Sequence, residues 1–116
     1  MHKPLPDDPV LMRFCAVLGE AYGARLERVV LYGSRARGEA RPDSDYDIAV
    51  FLREIPDRAA ELNRLADMAT DILYDSGECI HATPFGAGAY LERTPLMHEI
   101  REDGLDCEAR VLSFSR

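Results

Sequence analysis

Apolar residues recur at helical spacing early in the chain, at Val10, Leu11, Phe14, Cys15, Val17, Leu18 and Tyr22. Asp8-Pro9 supplies an N-cap and a proline for the first helical position, and Gly23 closes the predicted helix. The pattern then changes. Leu26, Val29, Val30, Leu31 and Tyr32 form a β-rich run within residues 25–32, bounded by Gly23 and Gly33, which predicts a strand. Residues 33–44 are rich in Gly, Arg, Pro and Ser, so a turn follows, with room for one helical turn opening at Ser34. Residues 46–52 read as a second strand in which Ile48, Val50 and Leu52 bury at least one face. A second helix opens at Pro56-Asp57 and carries one apolar stripe, Leu62, Leu65, Ala66, Ala69, Ile72 and Leu73, before Asp75-Ser76-Gly77 stops it. Residues 78–84 predict a third strand, and Tyr90 and Leu91 a helical turn. Thr94-Pro95 caps a last helix with Leu96, Met97 and Ile100 inward and Gly104 at its end. Residues 105–114 form a final extended segment.

Two strands adjacent in sequence, with helices before and after them, argue against a doubly wound parallel sheet. The expected fold class is α/β in the α+β sense, a small mixed β-sheet flanked by helices. The length of 116 residues suits one domain with a real core. Pro4, Pro6 and Asp7 oppose regular structure, so residues 1–7 read as a flexible N-terminal arm and residues 8–116 as the single domain.

The formal net charge of −7 changes the functional picture. An acidic chain does not attract nucleic acid or an anionic membrane by its overall field, so any nucleotide must be handled by local groups and metal ions. Cys15, Cys79 and Cys107 are odd in number and lack metal or redox spacing, which predicts reduced, mostly buried thiols. The first residues show no signal-peptide pattern and no apolar run reaches membrane-spanning length. A cytoplasmic protein is expected, with self-association left open.

The chemistry concentrates in residues 33–47. Asp45 and Asp47 alternate along a strand, so their carboxylates share a face and repel. A divalent cation removes the conflict. Mg²⁺ takes hard carboxylate oxygens together with triphosphate oxygens and water, and can align an attacking oxygen with the α-phosphate. The plainer alternative makes Asp45 a loop end and Asp47 a solvated residue. Gly33-Ser34 directly follows a strand, where glycine permits close approach of a phosphate and the amides and hydroxyl offer donors. Arg35 and Arg37 could add positive charge to the phosphates, or be solvated loop residues. The chain leaves one strand at Ser34 and returns in its neighbour at Asp45, so both features can meet at one sheet edge.

The stretch Leu-Tyr-Gly-Ser-Arg-Ala-Arg-Gly-Glu-Ala, followed by Ser-Asp-Tyr-Asp-Ile-Ala-Val, resembles the Gly-Ser…Asp-x-Asp signature of the DNA polymerase β-like nucleotidyltransferases. It is similar in particular to the minimal nucleotidyltransferases of bacteria and archaea, over residues 29–52. The resemblance implies a triphosphate (ATP) at the Gly-Ser turn, two Mg²⁺ ions, and transfer of a nucleoside monophosphate with release of pyrophosphate. It assigns Gly33 and Ser34 to phosphate binding and Asp45 and Asp47 to the metal. It also implies a protein partner, a HEPN-domain toxin, which the antitoxin-type member adenylylates on a tyrosine.

The same resemblance implies a third carboxylate on a later strand. Judged from Pro84, that position falls on His81, while Glu78 is the nearest acid and lies on the opposite face by parity. His81 as general base, Glu78 as base, and no base at all stay open. The leading expectation is therefore an enzyme acting on a protein acceptor. The alternative is a nucleotide-binding module that neutralises its partner by complex formation alone.

Overall fold

The structure, a computed structural model, describes residues 3–4 and 7–107, the first two by their backbone alone. In chain order the elements are β1 (Lys3–Pro4), α1 (Pro9–Tyr22), a 3-10 turn (Gly23–Arg25), β2 (Leu26–Tyr32), β3 (Tyr46–Leu52), α2 (Arg58–Ser76), β4 (Ile80–Gly86), a second 3-10 turn (Ala87–Leu91), α3 (Pro95–Asp103) and β5 (Leu105–Asp106). The sheet order is β1-β5-β2-β3-β4. β2 and β3 are antiparallel, as a return through one loop allows, and β3 and β4 are parallel, joined by the α2 crossover. The sheet is mixed, as the sequence predicts.

Local chemistry sets the helix ends. The Asp8 carboxylate accepts from the Val10 and Leu11 amides ahead of Pro9, Asp57 caps α2 through the Ala60 amide, and Thr94 caps α3 through the Met97 amide. Gly77 ends α2 in the left-handed region at φ 77°, where a side chain would be strained.

Both faces of the sheet are covered. On one, Leu11, Phe14 and Leu18 of α1 and Leu65 and Ile72 of α2 meet Val29, Leu31, Ile48, Val50 and Leu52. On the other, Met97 and Ile100 of α3 meet Val30, Ala49 and Phe51. β3 is therefore buried on both sides, beyond the single face that Ile48, Val50 and Leu52 announce. Each fully buried leucine or isoleucine contributes roughly 1.5–3 kcal/mol of transfer free energy.

Several expectations shift. Lys3–Pro4, expected in a loose arm, pairs in parallel with Leu105–Asp106. An edge strand tolerates a proline because one side of its ladder needs no donor. The third strand runs Ile80–Gly86 rather than 78–84, because its register is set by β3, from Tyr46↔Ile80 to Leu52↔Gly86. Pro84 sits inside it without harm, since β4 is the other sheet edge. The α2 stripe splits: Leu65, Ala69 and Ile72 are buried, while Leu62, Ala66 and Leu73 stay exposed and line a groove beside β4. Leu96 is exposed as well, leaving Met97 and Ile100 as the buried face of α3. Arg101 of α3 donates to the Tyr90 and Glu92 carbonyls. Beyond Cys107 the expected extended segment lies outside the described residues.

One polar cluster is built into the fold. Glu61 is 4 % exposed and is the single buried charged residue among those described. Arg25 donates to its carboxylate at 2.8 Å, and Arg64 stands 3.9 Å away. The Tyr22 hydroxyl and Glu61 Oε1 adjoin without a hydrogen bond of good geometry. Burial, then Glu61, pushes the Tyr22 phenol up to about 12. Burial works to raise the Glu61 pKa, but Arg25, Tyr22 and Arg64 outweigh it and hold the carboxyl below its usual value.

Candidate active site

The Gly33 turn closes directly onto Asp47. Gly33 has φ 76°, a backbone conformation open to glycine, and a Cβ there would collide with the Asp47 carboxylate. Gly33 O accepts from the Ala36 and Arg37 amides at 3.1 and 3.2 Å, so residues 34–38 make one helical turn opening at Ser34. The leading amides of such a turn have no preceding carbonyl to bond, which leaves donors for an anion. Ser34 sits half-exposed at that opening.

Strand pairing assembles the remaining groups. Asp47 is opposite Tyr32 on β2 and His81 on β4. His81 Nδ1 lies 3.6 Å from Asp47 Oδ1, and His81 is well exposed. Asp45 stands just before β3, where the Tyr46 amide bonds Cys79 O, and its carboxylate adjoins the Cys79 thiol. Partial desolvation, then Asp45, raises that thiol's pKa. Tyr32 is held above the usual phenol range by burial, then by Asp47 and Glu99, against a hydrogen bond with Thr83. Tyr32 thus borders Asp47 and Cys79 borders Asp45, with Thr83 and Glu99 behind Tyr32. The signal that could have found them was available in part: Tyr32 directly precedes Gly33, and Thr83 lies two residues along the strand from His81.

The two arginines of the turn go elsewhere. Arg35 donates to Ser44 O at 2.7 and 2.9 Å, approaches Glu78 at 3.3 Å and stacks 3.9 Å over the Tyr46 ring. Tyr46 points to the face opposite Asp47, so Arg35 staples the loop rather than facing the acids. It also occupies Glu78, which leaves His81 as the titratable group of β4 beside Asp47. Arg37 binds Glu39 at 2.9 Å and reaches Glu99 at 3.2 Å, on α3.

Asp47 is about one-third exposed, and His81 is the one basic group within ion-pair distance of it among the described residues. Among the described residues no arginine lies within ion-pair distance of either acid. The donor set fits a hard divalent cation in one specific way. Two carboxylates are present, and among the described residues no three ligating side chains converge on a point. Such an ion would complete its shell with phosphate oxygens and water, as Mg²⁺ does on a nucleotide.

Residues 21–81, more than half of the chain, match the family described as Polymerase beta, Nucleotidyltransferase. The chain belongs to the polymerase beta nucleotidyltransferase family. Solved structures agree on the fold of this nucleotidyltransferase domain. A toxin–antitoxin crystal structure with AMP-PNP aligns at TM-score 0.60 and 18 % identity, over 90 % of this chain and 80 % of that one. A mutant MntA–HpeT toxin–antitoxin aligns at 0.59 and 16 %, over 90 % and 80 %. A chain from the Shewanella oneidensis tri-AMPylated HEPN toxin in complex with MNT antitoxin aligns at 0.52 and 14 %, over 91 % and 80 %. No curated protein matches. No helix among the described residues of the nucleotidyltransferase is long and apolar enough to cross a membrane.

Proposed function

We propose that this nucleotidyltransferase is an antitoxin-type member that transfers AMP from ATP to a hydroxyl of a partner toxin of the HEPN kind. One observation carries the reading: the Asp47 carboxylate, with Asp45 two residues before it, lies against the Gly33 turn, whose leading amides are free of a preceding helical carbonyl, and no arginine among the described residues pairs with either acid. The likeness to toxin–antitoxin structures supports the choice of partner.

In this reading Asp45 and Asp47 would hold Mg²⁺, and the ion would supply charge neutralisation for the acids and the triphosphate and polarisation of the α-phosphate. The Gly33-Ser34 turn grips the phosphates beyond it. The acceptor hydroxyl attacks the α-phosphorus, its oxygen forming the new P–O bond as the bond to the β-phosphate breaks and pyrophosphate leaves. The proton of that hydroxyl goes, in this reading, to His81, whose exposed position beside Asp47 supports the role. Arg35 and Tyr46 hold the loop that positions the turn.

A second reading has a specific observation in its favour: a histidine stands where the resemblance expects a third carboxylate, and Glu78 is turned toward Arg35. The domain would then bind nucleotide and neutralise its partner without transfer. Incubation of the full chain with α-labelled ATP, Mg²⁺ and its co-encoded neighbour separates the two. Label on the neighbour, lost in Asp47→Asn, establishes the transferase. A stable unlabelled complex establishes the module. Absence of both label and Mg²⁺-dependent ATP binding sinks both.

A further inference from the structure

Three cysteines without recognisable spacing gave no reason to expect a pair, yet the fold makes one. Cys15 lies on the buried side of α1 and Cys107 directly follows β5, at 2 % and 3 % exposure. Their sulfurs are 2.9 Å apart, although 92 residues separate them in sequence. A disulfide bond is about 2.05 Å long, so little movement separates contact from bonding. Both backbones are fixed by the surrounding structure. Cys15 is inside a helix, and the Cys107 amide bonds Val29 O at 3.2 Å, extending the β2–β5 ladder. Cys79, the third, is exposed at the far side of the sheet, next to Asp45.

We propose that Cys15 and Cys107 are a redox-modification site that forms a reversible intramolecular disulfide by exchange with a small disulfide of the oxidised-glutathione class. The site is on the α1 side of the sheet, away from the Asp47 face, so it is independent of the nucleotide chemistry. Access comes through β5. It is two residues long and is covered on its outer side by the equally short edge strand β1 alone, and elements held by so few ladder bonds open at low free energy. On opening, the Cys107 thiolate attacks one glutathione sulfur, forming a mixed disulfide and expelling a glutathione thiolate, which takes up the proton Cys107 gave up. The Cys15 thiolate then attacks the Cys107 sulfur and expels the second glutathione, protonated in turn by the hydrogen from Cys15. The two cysteines lose two electrons and two protons, and one oxidised glutathione becomes two reduced ones. The product ties α1 to the last strand.

The test uses the full-length chain carrying Cys79→Ser, incubated with oxidised glutathione and measured by intact mass. The expected product is lighter by two hydrogens, carries no glutathione, yields a cross-linked peptide joining Cys15 to Cys107, and returns to the starting mass in dithiothreitol. A persistent glutathione adduct, or full alkylation of both thiols in denaturant after the oxidation step, overturns the proposal. If the substitution disturbs folding, peptide mapping of the wild-type chain after the same treatment decides it by the same criterion.

Discussion

Two groups of acids, both near the ends of regular elements, are treated by the fold in opposite ways. Glu61 is buried and matched in charge: Arg25 bonds one carboxylate oxygen, Arg64 stands near, and a tyrosine hydroxyl adjoins the other. Asp45 is exposed and Asp47 about one-third so, and among the described residues the one basic group within ion-pair distance of either is His81, beside Asp47. The acid that the chain balances internally holds α2 to the turn after α1. The acids it leaves unbalanced are those that a ligand's cation would satisfy. Proximity of charge is common to both clusters, and the presence or absence of an internal counter-charge tells structure from site.

Substitutions can break this contrast. The largest effect is expected from Asp47→Asn, which keeps size and removes charge. Label transfer should fall by roughly 10³-fold, equivalent to about 4 kcal/mol of lost stabilisation. The melting temperature should hold or rise, since repulsion is relieved; a large fall in Tm would make Asp47 a structural residue after all. Gly33→Ala comes next. Its side chain meets the Asp47 carboxylate at a positive φ, so denaturant unfolding should show about 2 kcal/mol of destabilisation and ATP affinity should drop with it.

Arg25→Ala tests the other cluster. It strands Glu61, and a loss of about 2 kcal/mol is expected, less than for a fully enclosed pair because Arg25 is 32 % exposed. Activity per folded molecule should not change. The smallest effect is in the pH dependence. The Glu61 carboxyl titrates lower in the folded than in the unfolded chain, so its contribution is complete above an unfolded pKa of about 4.3 and is lost as pH falls through the folded value. Glu61→Gln should flatten that acid limb in urea titrations. Tyr22, pushed up to about 12, has the opposite sign, its contribution being lost as pH rises from about 10 toward 12.

The sequence carried the elements well because their signals are local: Asp8-Pro9 and Thr94-Pro95 for helix starts, Gly77 for a stop, the β-branched runs for strands. It carried the Gly33…Asp47 juxtaposition because a strand, a loop and a returning strand leave little freedom. What it could not carry depends on partners distant in the chain. The burial of Ala49 and Phe51 needs α3, fifty residues later, to cover the second face. The role of Arg35 depends on where Ser44 and Glu78 come to lie. Lys3–Pro4 becomes a strand because β5 offers an edge. The meeting of Cys15 with Cys107 is a product of topology alone.

The position of β3 has a last consequence. Its even-numbered side chains fill one layer of the core, Ala49 and Phe51 fill the other, and Asp47 extends that second series into the open. A slip of one residue would drive the carboxylate into the apolar layer beneath α1 and α2 and turn Ile48 outward. The aim of the acid is thus locked to the same interdigitation that makes the chain fold. Drift elsewhere in the core should leave chemistry untouched until cooperativity itself fails, giving a lineage of such domains wide latitude in sequence while the working geometry stays constant.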